Sequence, residues 1–446
     1  MRFFIIFHLL LFSNLFAQNF FFTDEIVLDN LTNPWEIKQI DDDWIIFTQR
    51  NGLVNKFNLK TRELKNILNL TNEVVQFAES GLLGMEIFRA KQDTFYVFLV
   101  YTYRKDGNLI QKVVRFELQK DTLINPKTIV DGIKAHGWHN GSRLLIASDN
   151  KLYITTGDAL DTTLPQNLNS LNGKLLRLNL DGTIPEDNPF GNAIWSFGHR
   201  NAQGLVEVDG RLIISEHGPE TDDEINIIQK GGNFGWPFVK GYCDENYPGE
   251  KDFCQQNSVI EPIISLYPYA TLAVCGLEFY GESPDTSWNQ TFLLATLKDE
   301  TLYSFKFSED YSKVISFTPI LSGKYKRLRC VRKLNDGRIL IGTSNRDFFK
   351  QPDKLILLTP SFLLNVASEE INRIEIIETL EGIIISSPNP TIKCKAIIYN
   401  LLGQKQIELE FTGSSTIPNN KIPKPNIYIL KIYSEGEWTN KIILIQ

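Results

Sequence analysis

The sequence predicts an all-β chain, a six-bladed β-propeller followed by a small C-terminal β-sandwich. Three observations lead there: helical periodicity is almost absent, one short strand pattern returns six times, and the character of the sequence changes after about residue 362. A chain of 446 residues that is 42% hydrophobic and 11% aromatic has room for one large core and an accessory module. Its net charge of −7, with no basic stripe, excludes a partner gripped through a nucleic-acid backbone.

Residues 1–18 read as a cleaved signal peptide. Met1-Arg2 supplies one positive charge, Phe3 to Phe12 is an almost unbroken apolar run, and Ala17 offers a small residue for cleavage before Gln18. The run is too short to cross a bilayer, no Cys follows it to carry a lipid, and no later stretch of 18 apolar residues occurs. The expectation is an exported protein, secreted or at the cell surface. Export permits disulfides. Of the five Cys, Cys243 and Cys254 lie 11 apart in a loop rich in Asp, Asn, Pro and Gly and are expected to pair, with Cys275 and Cys330 as a second candidate pair. No C-x-x-C spacing occurs and the five His are scattered, so zinc is not expected.

Residues 19–361 carry the repeat. A turn of Asp, Asn or Gly precedes four or five β-prone residues and then a polar knot, anchored on Trp44, Phe95, Leu152, Leu212, Phe292 and Ile339. The spacings are 51, 57, 60, 80 and 47, which suit propeller blades better than a large sandwich. If each apolar run is an inner strand, the knots after it emerge together at one face of a central channel. These are Thr48-Gln49-Arg50, Thr155-Thr156-Gly157-Asp158, Ser215-Glu216-His217-Gly218-Pro219, Ala295-Thr296-Leu297-Lys298 and Gly342-Thr343-Ser344-Asn345. Their convergence makes a wet, charged pocket on a rigid scaffold.

Within that pocket His139, in Gly137-Trp138-His139-Asn140-Gly141-Ser142-Arg143, is placed to act as a base near neutral pH. Taken alone, a loop histidine tied to a backbone carbonyl is the simpler reading. Asp158 ends the next strand, 19 residues on, and returns to the same face. Arg200 and Asn201 lie between glycines in Gly198-His199-Arg200-Asn201-Ala202-Gln203-Gly204, and Arg suits planar contact with carboxylate or quinone oxygens. Lys298, Arg327 and Arg329 add cations from other blades, the last two on one side of a strand. Cations converging in an acidic protein point to a multiply anionic ligand. The run Gly218-Pro219-Glu220-Thr221-Asp222-Asp223-Glu224 offers hard oxygen ligands of the kind calcium takes, without EF-hand spacing.

Residues 362–446 read as a separate β-sandwich. Ser387-Pro388-Asn389-Pro390, Tyr399-Asn400-Leu401-Leu402-Gly403, Asn426-Ile427-Tyr428-Ile429-Leu430 and the Lys-bearing last strand at Asn440-Lys441 resemble the C-terminal sorting domain of type IX secretion cargo. That resemblance implies the type IX secretion machinery as a partner, and passage across an outer membrane after export. A carbohydrate-binding or immunoglobulin-like tail is the alternative.

Together the propeller motifs resemble those of the soluble glucose/sorbosone dehydrogenase family, the pyrroloquinoline quinone (PQQ) propellers. The matches run over about residues 30–358: Asn33-Pro34-Trp35, Gly81-Leu82-Leu83-Gly84, His139 to Arg143, Gly157-Asp158, Gly173-Lys174-Leu175-Leu176-Arg177, Asp181-Gly182-Thr183-Ile184-Pro185, Gly198-His199-Arg200-Asn201, Glu216-His217-Gly218-Pro219, Asp223-Glu224-Ile225-Asn226 and Gly232-Asn233-Phe234-Gly235-Trp236-Pro237. The resemblance implies PQQ and calcium (Ca2+) as cofactors, a small-molecule aldose as substrate and an external electron acceptor. It implies His139 as the catalytic base, and Arg200, Asn201 and Asp158 facing the quinone. Lys298, Arg327 and Arg329 fall on the positions that hold the cofactor's carboxylates, and Thr271 matches less closely. Gly218 and Pro219 match the pair whose carbonyls hold the active-site calcium. Glu224, Phe234, Lys240 and Asp244 fall on a second calcium site. Glu79 stands in the cofactor pocket where a Gln often precedes Gly-Leu-Leu-Gly, and Trp138 replaces a polar residue. Both departures bear on which sugar fits. One acidic calcium ligand of the family has no clear counterpart. The competing reading is a non-catalytic propeller that binds a glycan or protein, like the hedgehog-interacting relatives. Such a protein need not keep His139, Arg200, Lys298, Arg327 and Arg329 together.

Overall fold

A computed structural model describes residues 20–364, apart from 92–93 and 267–270, and residues 375–378, 382–386, 393–400, 405–418, 426–434 and 437–445 beyond them. The chain divides into two compact units, residues 1–360 and 361–446. The expected signal peptide and the Pro388-Asn389-Pro390 and Leu401-Leu402-Gly403 motifs lie outside the described residues.

The first unit is a ring of six four-stranded antiparallel sheets. Blade 1 runs Pro34–Gln39, Trp44–Gln49, Leu53–Asn58 and Leu64–Asn69, each strand pairing with the next. The innermost strands of blades 2 to 6 are Leu82–Lys91, Leu144–Ile146, Ala202–Val208, Val274–Phe279 and Leu328–Lys333, and each packs beside its neighbours around the axis. The ring is closed by the chain's own start. Strand Phe22–Leu31 pairs antiparallel with Asp353–Pro360 and becomes the outer strand of blade 6, so main-chain hydrogen bonds tie the first blade to the last.

The repeat seen in the sequence marks the second strand of each blade, not the inner one. The anchors Trp44, Phe95, Leu152, Leu212, Phe292 and Ile339 all lie on second strands. The reason is burial. A second strand has hydrogen-bonded partners on both sides and packed blades on both faces, so it reads as a continuous apolar run. Inner strands line the channel and carry Glu36, Lys38, Glu86, Arg329 and Arg332, which hides them from a search for apolar runs. The error leaves the face correct. Antiparallel pairing sets Gln49 against Pro34, Glu216 against Ala202, Thr296 against Val274 and Thr343 against Leu328. In these four blades the end of the second strand therefore lies beside the start of the inner strand, and the polar knots meet the loops that enter the channel.

Apolar side chains fill the wedges between blades, for example Trp35, Leu83, Phe98, Leu144 and Ile154 across blades 1 to 3, and Val206, Ile213, Leu277, Phe292 and Phe305 across blades 4 and 5. Each such side chain contributes about 1.5–3 kcal/mol. The long 80-residue spacing has a local cause: blade 4 inserts residues 228–263 between its third and fourth strands, including helix Glu250–Asn257. The Cys243–Cys254 disulfide pins that helix to its loop. Cys275 and Cys330 are not joined, a correction to the second candidate pair. Both are buried free thiols on adjacent inner strands. The Cys275 thiol donates to the carbonyls of Ala295 (3.2 Å) and Leu328 (3.1 Å), while Cys330 turns the other way, toward Pro34 of blade 1.

The second unit holds a three-stranded sheet of Glu375–Glu378, Gly382–Ser386 and Ser414–Pro418. Its other sheet has four strands, Lys405–Thr412, Lys393–Asn400, Asn426–Ser434 and Glu437–Ile445. Alternate residues Cys394, Ala396 and Ile398 meet Ile383, Ile385 and Ile417 in its core, as strand periodicity requires for a sandwich.

Candidate active site

His139 sits in the loop that enters blade 3, with the left-handed φ of +59°. Non-glycine residues rarely hold this conformation without a reason. The Asp158 loop presses directly against it: a Cβ at Gly157 would lie 2.0 Å from the His139 carbonyl oxygen, so only glycine allows the approach. The result is a hydrogen bond between His139 Nδ1 and Asp158 Oδ1 at 2.8 Å. Asp158 is fully buried, and its other contacts are amide Leu160 (2.8 Å) on Oδ1 and indole Trp236 Nε1 (2.9 Å) on Oδ2. Oδ1 therefore orients the imidazole, while Oδ2 is held by the Trp236 indole. His139 Nε2 has no partner among the described residues, and the side chain stays 15% exposed.

The next turn is organised by Glu216. Its carboxylate accepts the Arg200 and Asn201 amides and pairs with His199, whose ring stacks on Phe234 at 4.7 Å. Asn201 Oδ1 accepts the Gly141 amide at 3.0 Å, linking this turn to the His139 loop. Arg200 lies 5.4 Å from the Trp236 ring and donates to the His217 carbonyl. Burial pushes its guanidinium below the usual value, opposed by Asp158 and Glu216. His217 is held well below the ordinary imidazole range, first by burial and then by Arg200, Arg329 and His139, so it is neutral at pH 7.

Arg327 and Arg329 approach from blade 6. Arg329 is buried, donates to Gln203 and faces Trp35 at 5.9 Å. Arg327 lies 4.4 Å from the Phe348 ring and is depressed by burial and then by the charge of Arg329. Arg50, part of a knot noted in the sequence but not assigned a role there, pairs with Asp347 and also feels Arg329. Glu79 is half-buried and acts on Arg50, Arg200 and Arg327 alike. Lys298 is exposed, and its ammonium has no ion-pair partner among the described residues. Thr271 spends its hydroxyl on Asp223, at 2.8 and 2.9 Å.

Buried Arg50 Nε, Arg200 Nε, Asn201 Nδ2 and His217 Nε2 lack hydrogen-bond partners. Orphaned buried nitrogens are rare and costly. Three N–H donors of this kind, among four arginines, fit a flat ligand rich in anionic oxygen.

A small cleft beside Arg200 is lined by Gly218, Pro219, Glu224, Phe234 and Lys240, together with Glu216 and Asp222. Asp223 is buried and turned inward, holding the Gly218 and Ala273 amides at 2.9 and 2.8 Å. The carbonyls of Gly218, Pro219, Phe234 and Lys240 accept no hydrogen bond among the described residues. Glu224 lies opposite Glu216 on the neighbouring strand, and burial, then the Glu216 charge, pushes its carboxyl up to about 8. Free carbonyls beside three clustered acids fit a hard divalent cation. No group of three or more His, Cys, Asp or Glu side chains suited to a metal occurs among the described residues, so such an ion would lean on main-chain oxygens. Asp244 is exposed and bonded to Asn246, outside the cleft lining.

The profile of the glucose/sorbosone dehydrogenase family matches residues 31–349. The chain belongs to that family. It is 29% identical to quinoprotein glucose dehydrogenase B of Acinetobacter calcoaceticus, over 72% of this chain and 84% of that one. The apo-form of the soluble aldose sugar dehydrogenase of Escherichia coli superposes with a TM-score of 0.68 at 28% identity, over 76% of this chain and 100% of the other. The PQQ-bound aldose sugar dehydrogenase of Streptomyces coelicolor gives 0.63 at 25% identity, over 77% and 100%. The matches cover the propeller and leave the C-terminal sandwich outside the family profile. Sequence reasoning had missed three parts of the site: Arg50, Trp236 as a partner of Asp158, and the Asp223 clamp on Gly218. Trp236 and Asp223 stand inside family motifs, so the signal was present without a role attached.

Proposed function

We propose that this protein is a PQQ-dependent aldose dehydrogenase that oxidises the anomeric hydroxyl of sugars to the lactone. The observation that carries the reading is His139, locked through Nδ1 to a buried Asp158 with Nε2 free, beside orphaned donors and arginines from several blades.

The carboxylate of Asp158 accepts Nδ1–H, which leaves the lone pair on Nε2 and selects the tautomer a base needs. Nε2 takes the proton of the anomeric hydroxyl. PQQ, when bound, supplies the two-electron acceptor for the hydride leaving the same carbon. Arg200 and Asn201 would hold the quinone edge through the N–H groups that now lack partners. Arg50, Arg327 and Arg329 would meet the carboxylates. Calcium, held by the Gly218 and Pro219 carbonyls, would add a fixed positive charge near the quinone oxygens. An external acceptor would take up the electrons that the quinone receives.

Export is part of this reading: the apolar run of residues 3–12 and the Cys243–Cys254 disulfide support it, and the C-terminal sandwich would serve as the type IX secretion tail. The test of the chemistry is His139→Gln in protein reconstituted with PQQ and calcium. Dye reduction with aldoses is expected to fall by about 10^2–10^4 while the bound-quinone absorbance persists. Unchanged turnover would remove His139 from the base role.

A further inference from the structure

Next to the base the chain exposes apolar surface that its own fold does not use. Phe77 is 57% exposed, Trp138 44% and Leu160 49%. Single exposed apolar residues are ordinary, but a cluster fastened to one catalytic segment is not. Phe77 and Trp138 meet edge to face at 6.1 Å. Phe77 packs against the backbone of Gly137, where a Cβ would lie 2.7 Å from its ring. Leu160 is held through its amide by the same Asp158 oxygen that orients His139.

These loops are set before any ligand arrives. Ser80 Oγ accepts from the Phe77 amide (3.0 Å) and lies within hydrogen-bond distance of its carbonyl (2.7 Å). Asn140 brackets His136 through both its main-chain groups, at 3.2 and 2.7 Å. The Glu79 amide donates to the Gly137 carbonyl at 2.7 Å and joins the two loops. The Glu79 carboxylate makes no hydrogen bond or ion pair among the described residues, and its charge acts on Arg50, Arg200 and Arg327. Rigid exposed aromatics match the face of C–H bonds that a pyranose ring presents. Trp138 is covalently adjacent to His139, so the platform begins one residue from the base.

We infer that Phe77 and Trp138, edged by Leu160, form a stacking subsite for the second sugar ring of a saccharide whose reducing end is at His139. The preferred substrates are then di- and oligosaccharides rather than free monosaccharides. This rests on the dehydrogenase reading for the position of the reducing end.

The experiment uses the full chain with PQQ and calcium, and compares kcat/KM for glucose with that for cellobiose, cellotriose, maltose and maltotriose. In parallel, methyl β-cellobioside and methyl β-maltoside, which have no oxidisable anomeric hydroxyl, are titrated calorimetrically. Longer sugars are expected to be preferred. Phe77→Ala and Trp138→Ala each lower the oligosaccharide-to-glucose ratio by about five- to tenfold and weaken methyl glycoside binding, while Trp138→Phe restores most of both. A ratio unmoved in both alanine variants, with glucose oxidation intact, overturns the subsite and leaves the dehydrogenase standing. Glycoside binding that depends on Phe77 in a protein oxidising no aldose supports the subsite and sinks the dehydrogenase. A change confined to the KM of the electron-accepting dye assigns the surface to the acceptor and overturns the proposal.

Discussion

Asp158 shows how much one side chain can depend on a distant partner. Its carboxylate divides between His139 and Trp236, residues 19 before and 78 after it. Neither spacing announces a contact. The family resemblance put Asp158 against the quinone; the fold shows its Oδ1 bonded to His139 and its Oδ2 to Trp236. Asp158→Asn should therefore keep the fold and the indole contact while losing the charge that selects the Nε2 base. The expected outcome is a fall in kcat of about a hundredfold or more with little change in thermal midpoint. A variant with normal kcat would detach Asp158 from catalysis. His139 stood out in its glycine-flanked loop only as a candidate, because a histidine tied to a backbone carbonyl fits the same pattern; the family resemblance gave it the role of base.

At the level of elements, the loop of residues 158–172 carries the Asp158 end of that pair and is anchored by Lys174. This lysine is buried, and its ammonium donates to the carbonyls of Leu164 (2.8 Å), Pro165 (2.8 Å) and Asn172 (2.6 Å). No carboxylate pairs with it among the described residues, and burial draws its pKa down to about 7. Replacement by methionine keeps the volume but strands three carbonyls. Lys174→Met should cost about 3 kcal/mol or more, read as a lower denaturation midpoint. A neutral effect would mean water replaces the amine. The strands themselves were legible where burial is uniform: second strands announced six blades because both faces are covered. The inner strands were not, because channel-facing charges such as Glu36, paired with Arg143, and Lys38, paired with Glu86, break the apolar pattern.

Across the whole propeller, charge is sorted: arginines gather over the channel while Glu216, Glu224 and Asp222 gather in the adjacent cleft. The Glu224 carboxyl, near 4.5 when unfolded and pushed to about 8 when folded, holds a proton in the native state that the unfolded chain releases. Between these values the folded protein binds more protons, so stability from this group falls as pH rises from about 4.5 to 8. Calcium, which needs the ionised form, should reverse the trend. Melting scans are expected to show a metal-free midpoint that drops toward pH 8 and a calcium-induced rise larger at pH 8 than at pH 5. Equal calcium shifts at both pH values would argue against Glu224 as a ligand.

Taken alone, the sequence determined the blade count, the extent of the family match and the Cys243–Cys254 pair, because each is written in local signals: strand runs, turn residues, short loops. Only the tertiary structure decided which strand of each blade faces the channel, that Cys275 and Cys330 turn apart, that Asp158 serves His139, and that Arg50 joins the cationic face while Lys298 stays in solvent. Those outcomes depend on the direction of side chains brought together from separate blades. Direction across a closed ring is set by packing and register, which no stretch of neighbouring residues encodes.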